Sequence, residues 1–247
     1  MRIAAILAVL LGGQEKPDFR FNGKSLDGFR PWLRESKGED PLKVFSVVDG
    51  QIRVSGEGMG YLGTEKAYQD YRLSVEYKWG TKTDGSKYVR NSGILIHATG
   101  PDGAAGKGAW MSSIEVQLAQ GCVGDLIPIR APDATVSFKG ETALGSDKRP
   151  RWSKGGEPVA YTGKQFWWSK HEAGFKELVD TRGKDDVDSP LGEWTKVELV
   201  CKGGRVTVIV NGTTVNEIFD VSPSAGRILL QNEGNEIFFR AFEIHPL

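Results

Sequence analysis

The chain has 247 residues, enough for one large all-β domain or two small ones, and its composition is that of an ordinary globular protein. Lys plus Arg and Asp plus Glu number 32 each, so the net charge is zero, and neither nucleic acid nor an anionic membrane surface is favoured as a partner. With 32 Gly and 7 Trp, the chain suits a turn-rich β fold that carries aromatic platforms.

The start reads MRIAAILAVLLGGQEKP. Arg2 is a minimal basic region, residues 3–11 form an apolar run too short to span a bilayer, and small residues follow. Residues 1–16 therefore read as a secretory signal peptide, although no clear A-x-A site is present, and residues 17–247 read as one domain. The protein is expected to be exported, periplasmic or extracellular, with no stable membrane insertion. After export Cys122 and Cys201 either pair as a disulfide or remain two buried thiols. No CxxC, HExxH or His-rich tract marks a metal site, so no metal ligand and no cofactor is assigned, and a divalent cation is not indicated.

Strand signals recur along the chain and helix signals do not. Residues 43–48 and 51–55 flank Asp49-Gly50 and read as a hairpin. Residues 71–79 alternate strictly, with Tyr71, Leu73, Val75, Tyr77 and Trp79 on one face and Arg72, Ser74, Glu76 and Lys78 on the other. Residues 93–98 and 113–119 form two further strands joined by the loop GPDGAAGKGAW. Residues 194–202, 205–210 and 213–219 make a meander through Gly203-Gly204 and Asn211-Gly212, and residues 226–231 and 236–245 close the set. Residues 125–188, rich in Gly, Lys, Asp and Trp, are expected to be one or two irregular excursions over a rim, with room for an extra hairpin. Many short strands with tight turns predict an all-β antiparallel sandwich or jelly roll.

In residues 113–119 Ile114, Val116 and Leu118 point to the core, leaving Glu115 and Gln117 on the other face, about 7 Å apart. In residues 93–98 Ile94 and Ile96 point one way and Gly93, Leu95 and His97 the other. If both strands share a sheet, His97 falls near Glu115, and Glu76 and Lys78 join them from residues 71–79. The alternative is a solvated face with scattered polar residues. Trp110, delivered by the loop, offers an aromatic wall suited to a sugar, and Gly93 leaves space above the sheet. Gln231 and Glu233 add polar groups at a strand end. Retaining β-glucanases with an E-x-D-x-x-E strand offer a direct test. Here the run is Glu115-x-Gln117-x-x-Gln120, and two amides stand where carboxylates are needed, so a two-carboxylate glycosidase on this strand is not supported.

Several stretches taken in order resemble the 3-keto-disaccharide hydrolase domain family: FNGKSLDGF from Phe21, YQDYRLSVEYK from Tyr68, NSGILIH from Asn91, WMSSIEVQ from Trp110, Gly124-Asp125, GEW from Gly192, LQNEG from Leu230 and Phe239-Arg240. The resemblance covers nearly all of residues 17–247. It departs where Phe29 replaces a usual Trp and in the long charged segment 125–188. It implies a concanavalin A-like jelly roll of two antiparallel sheets, and an enzyme that cleaves glycosides already oxidised at C3. A 3-keto group acidifies the C2 proton, a base removes it, and the aglycone leaves C1 by elimination before water adds. This route needs a base, an enolate stabiliser and a proton donor. On that resemblance His97 is the base or else a satisfied structural histidine, Glu115 orients it or is itself the base, and Lys78 or a bound cation stabilises the enolate. Asn91, Gln117 and Gln231 hydrogen-bond hydroxyls, with Glu76, Trp110 and Glu233 completing the substrate surface. The expected partner is an oligosaccharide or glycoside. The competing readings are a non-catalytic carbohydrate-binding jelly roll, and an ordinary glycosidase pairing Glu115 with Glu76 or Glu233. His171 and His245 are expected at the surface.

Overall fold

The computed structural model describes residues 16–247. The signal peptide expected over residues 1–16 lies, but for its last residue, outside the described residues. Among the described residues no helix is long and apolar enough to cross a membrane.

Strands are numbered β1–β17 in chain order. Six form one antiparallel sheet in the order β2 (Phe29–Leu33), β5 (Met59–Thr64), β16 (Arg227–Glu233), β7 (Gly93–Thr99), β8 (Ser112–Gln117) and β9 (Leu126–Ile129). The second sheet runs β11 (Pro150–Trp152), β10 (Ser137–Leu144), β15 (Thr213–Ser222), β14 (Arg205–Val210), β13 (Thr195–Lys202), β6 (Tyr71–Trp79), β17 (Ile237–Pro246), β4 (Gln51–Val54) and β3 (Phe45–Val48). β1 (Phe19–Arg20) adds to β17 and β12 (Glu157–Tyr161) adds to β10. The sheets stack as a concanavalin A-like jelly-roll sandwich.

Alternation decides what lies between the sheets. Tyr71, Leu73, Val75, Tyr77 and Trp79 of β6 meet Ile94 and Ile96 of β7, Ile114 and Val116 of β8 and Leu230 of β16 in one buried cluster. Each such aliphatic or aromatic side chain contributes roughly 1.5–3 kcal/mol on burial. Hairpin turns set the register. Asp49 and Gly50 have φ of 50° and 75°, and Asn211 and Gly212 have 47° and 79°, the paired positive values of a type I′ turn. Cys122 and Cys201 are both free thiols and both buried.

Residues 125–188 are more ordered than their composition predicts. β9 extends the six-stranded sheet, and β10, β11 and β12 widen the other. In β10 the inward sequence is Phe138, Gly140, Thr142, and a Cβ on Gly140 would lie 2.3 Å from the Phe166 ring. The ring fills the place of an inward side chain, so the apolar alternation that announces a strand is broken. Phe166 and Trp168 then plug this end of the core from a segment that forms no strand.

Candidate functional site on the outer face of the six-stranded sheet

The face of the six-stranded sheet turned away from the core carries the polar residues. Trp32 stands opposite Tyr61 and Tyr61 opposite Gln231. One row on, Leu229 stands opposite Leu95, and Leu95 opposite Glu115. Gly93 pairs with Gln117. Tyr61, Leu95, Ala98, Met111 and Leu229 form an apolar floor, and Trp32 and Trp110 pack against it. The 100–111 loop reaches both indoles through glycines. A Cβ on Gly103 would lie 2.7 Å from the Trp32 ring, and one on Gly106 would lie 2.0 Å from that of Trp110. The Trp32 indole N–H donates to the Gly108 carbonyl at 3.1 Å.

The space above Gly93 is already taken. A Cβ there would lie 2.6 Å from Glu115 Oε1, 2.8 Å from its Cγ and 3.1 Å from Gln231 Oε1. Glycine lets these two side chains lean together across β7. Both are shut from solvent, at 3% and 1% exposure. Glu115 Oε1, both polar ends of Gln231, Asn91 Oδ1 and Trp110 Nε1 make no geometrically complete hydrogen bond within the protein. Buried polar groups are nearly always satisfied, so a buried carboxyl and amide that lean on each other without a geometrically complete hydrogen bond make this the candidate site. Burial, and then the charge of Glu233, push the Glu115 carboxyl up to about 8, against the opposing effect of the nearby Gln231 amide. Burial also pushes Glu233 up to about 7. At neutral pH Glu115 is mainly protonated and Glu233 is divided between its two forms. Gln117 shares the face, as its alternation predicts. Its Oε1 accepts from the Leu118 and Ala119 backbone N–H groups at 3.1 and 3.2 Å, so only its NH₂ end is left to address a ligand.

Three expected members of the site lie elsewhere. His97 has a φ of 52°, and the pairing of β7 slips there against both β8 and β16. A bulge of one residue reverses the alternation, so Ala98 joins the outer floor and His97 turns inward. Its ring meets core Tyr71 edge-on at 5.9 Å, and Nδ1 lies 3.0 Å from the Pro223 carbonyl. Burial lowers its pKa to about 4, outweighing that carbonyl, so the ring is neutral at pH 7 and Nδ1–H donates to Pro223. Lys78 and Glu76 lie on the outer face of the other sheet. Lys78 Nζ sits 4.9 Å from the Trp194 ring centre, and Glu76 pairs with Arg240 at 2.6 Å. The whole core separates them from Glu115. Local alternation tells the two faces of a strand apart but not which sheet the strand joins.

His97→Ala is expected to cost about 2 kcal/mol or more of stability by opening a cavity, as buried large-to-small changes do. It should leave the activity of the folded protein within a few-fold of wild type. Lys78→Ala should leave it within about twofold, since surface changes remote from a site rarely matter. Paired melting curves and rates below the transition check both, and a thousand-fold loss in folded His97→Ala would return the histidine to the chemistry.

The sequence reading missed a second polar group on this face. Asp102, from the loop, accepts from the Tyr61 hydroxyl, Arg30 and Arg227. Burial pushes its carboxyl up, but these three donors outweigh it and hold it below the usual range. Arg227 also borders an open cleft of about 400 Å³ that shares Ala98 and Met111 with the floor. The missed signal is Asp102 itself, the one acidic residue in a Gly-rich loop read only for its tryptophan. β2 and β5 escaped because Pro31, Gly60 and Gly63 interrupt their patterns. His171 is buried, not at the surface, at 8% exposure.

A jelly roll with an apolar floor, flanking tryptophans and a buried carboxyl on one sheet face defines a carbohydrate-active class of protein. The chain belongs to the family of 3-keto-alpha-glucoside-1,2-lyase-like domains, whose model matches residues 19–245. No curated protein matches it. Among solved structures, a candidate glycosyl hydrolase from Parabacteroides distasonis ATCC 8503 is 18% identical over 92% of each chain, with a TM-score of 0.51. The carbohydrate binding module CBM66 from Bacillus subtilis is 7% identical over 88% of this chain and 95% of its own, with a TM-score of 0.50. A chain from a study of endo-acting O-glycanases of the human gut microbiota is 10% identical over 94% and 100%, also at 0.50. Identities this low speak for the fold.

Proposed function

We propose that this domain cleaves the C1–O bond of 3-keto-glycosides by eliminating the aglycone across C1 and C2, with Glu115 and Glu233 as its proton-transfer groups. The observation that carries this reading is the buried Glu115 carboxyl set over Gly93 against the buried Gln231 amide, with Oε1 of the acid making no geometrically complete hydrogen bond. The carboxylate of one acid takes the C2 proton. Its electron pair delocalises into the C3 carbonyl as an enolate, then returns to form the C1–C2 double bond as the C1–O bond breaks. The carboxyl of the other acid protonates the departing oxygen. Water added to that double bond gives net hydrolysis. Two acids whose pKa values are raised toward neutrality suit both roles at once. Gln231, whose side chain meets Glu115 over Gly93, is the donor this reading assigns to the enolate oxygen.

The pH dependence follows with a definite sign. Below about 7 both acids are protonated and no base is present, so the rate rises with pH. Above about 8 both are ionised and no donor remains, so it falls. A bell with apparent limbs near those values is expected in kcat/KM, each limb belonging to the pair.

The deciding assay offers a 3-keto-glucoside and its unoxidised parent to the purified protein, to Glu115→Gln and to His97→Ala. Release from the keto compound alone, lost in Glu115→Gln and kept in His97→Ala, supports this reading. Sugar binding without release from either compound would assign the domain a binding role instead.

A further inference from the structure

We propose that Cys122, Asp125 and His171 form a binding site for one divalent transition-metal ion of the zinc type. This is independent of the catalytic reading above. One sulfur, one carboxylate oxygen and one ring nitrogen from these residues lie within 4.8 Å of one another, and all three residues are buried. That is a mixed S, O and N set, the kind that suits zinc and its borderline neighbours better than magnesium or calcium. Three protein ligands leave a fourth tetrahedral position for water.

Two tight turns bring the ligands together. Cys122 and Asp125 are the ends of one turn, closed by the Asp125 N–H to the Cys122 carbonyl at 3.0 Å. His171 closes another through its N–H to the Trp168 carbonyl at 3.1 Å. The ligand orientations are fixed from behind. Asp125 accepts from Gln165 Nε2 at 2.6 Å and from the Trp168 backbone N–H at 2.7 Å. The His171 ring stacks on Trp167 at 3.9 Å between centres, with planes 10° apart. Such outer contacts are what hold metal ligands in place.

Two further observations point to a ligand. His171 Nδ1 lies 2.7 Å from Asp125 Oδ2, at ion-pair distance, though the approach falls outside hydrogen-bond geometry, so the two ligand atoms already face one point. Cys122 is a free thiol at 6% exposure, lodged against this pair instead of in the main core. Charge also balances. On binding, the Cys122 proton goes to solvent, and one thiolate plus the Asp125 carboxylate offset the two charges of the ion, leaving no net charge in a buried place. The site would tie the 122–125 turn to the 165–171 segment beside Gln117, whose backbone pairs with Asp125 and Gly124 at 2.9 Å. It would thereby brace the end of β8.

The test uses the whole protein, stripped with chelator and then titrated with Zn²⁺ or Co²⁺. One equivalent of Zn²⁺ is expected to bind and to raise the melting temperature by about 5–10 °C at ~100-fold excess over Kd. Co²⁺ is expected to give a thiolate-to-metal charge-transfer band. Cys122→Ser should abolish the band, and His171→Gln should weaken binding at least about 100-fold, since each removes a direct ligand. Cys201→Ala and His245→Gln should bind as wild type. No bound metal, a cobalt complex without the thiolate band, or binding unchanged in both ligand variants would overturn the proposal and leave an Asp125–His171 ion pair. Where a ligand variant fails to fold, the wild-type cobalt spectrum decides alone.

Discussion

Glu115→Gln is expected to lower aglycone release from a 3-keto-glycoside by about 10²–10⁴-fold, the usual contribution of a positioned acid or base. The same change should stabilise the fold at alkaline pH. Burial raises the Glu115 carboxyl from 4.5 to about 8, so the folded chain holds a proton that the unfolded chain has released. Stability then falls as pH rises from about 4.5 through 8. The amide has the same shape and nothing to ionise, so it escapes that loss. At pH 5 the two proteins should melt together. At pH 9 the variant should be more stable by a few kcal/mol, given about 1.4 kcal/mol per pKa unit and some screening, or about 5–10 °C for a chain of this size. Equal melting at pH 9 would mean that Glu115 is not held in its neutral form. A gain in stability with a loss of function is the pattern of a residue kept for chemistry and not for packing.

Gly93→Ala is the second change of large expected effect. The position has no left-handed backbone to strain, so the added methyl acts only through space. It would lie 2.6 Å from Glu115 Oε1 and 2.8 Å from Cγ, and the second of these is not the free end of the chain. The carboxyl must therefore shift by a large part of an ångström. Misplacement of about 1 Å costs roughly 10²-fold in rate, and crowding of this kind costs about 1–3 kcal/mol in stability. Gly163→Ala, with open space at the same point, is the neutral control. Rates for Gly93→Ala within threefold of wild type would place the reacting atoms away from Glu115.

Much of this arrangement was legible in the chain. The strict alternation of residues 71–79 is β6 to the residue, and the Asp-Gly and Asn-Gly pairs make the turns their φ preferences require. Glu115 and Gln117 share the outward face that their spacing gives them. Gly93 does mark a close approach, although protein side chains occupy it. Strand and turn signals of this kind are local, and the pleat carries them faithfully over a few residues.

What the sequence did not settle depends on distant partners. His97 follows the outward rhythm of Leu95 on paper, but one inserted residue, accommodated by slipped pairing on both sides, sends it to the core against Tyr71. Lys78 and Glu76 have the outward parity expected of them, on the wrong sheet. β10 is hidden because the Phe166 ring, 26 residues further on, supplies what Gly140 lacks. The Asp102 group assembles residues from β2, β5, β16 and a loop. By itself the sequence determined the antiparallel sandwich, its turns and the carboxyl–amide strand at Glu115, because each rests on the period of two and on residue-specific φ. Only the tertiary structure decided which face and which sheet each polar group joins, because register, bulges and burial are set by contacts between segments far apart in the chain.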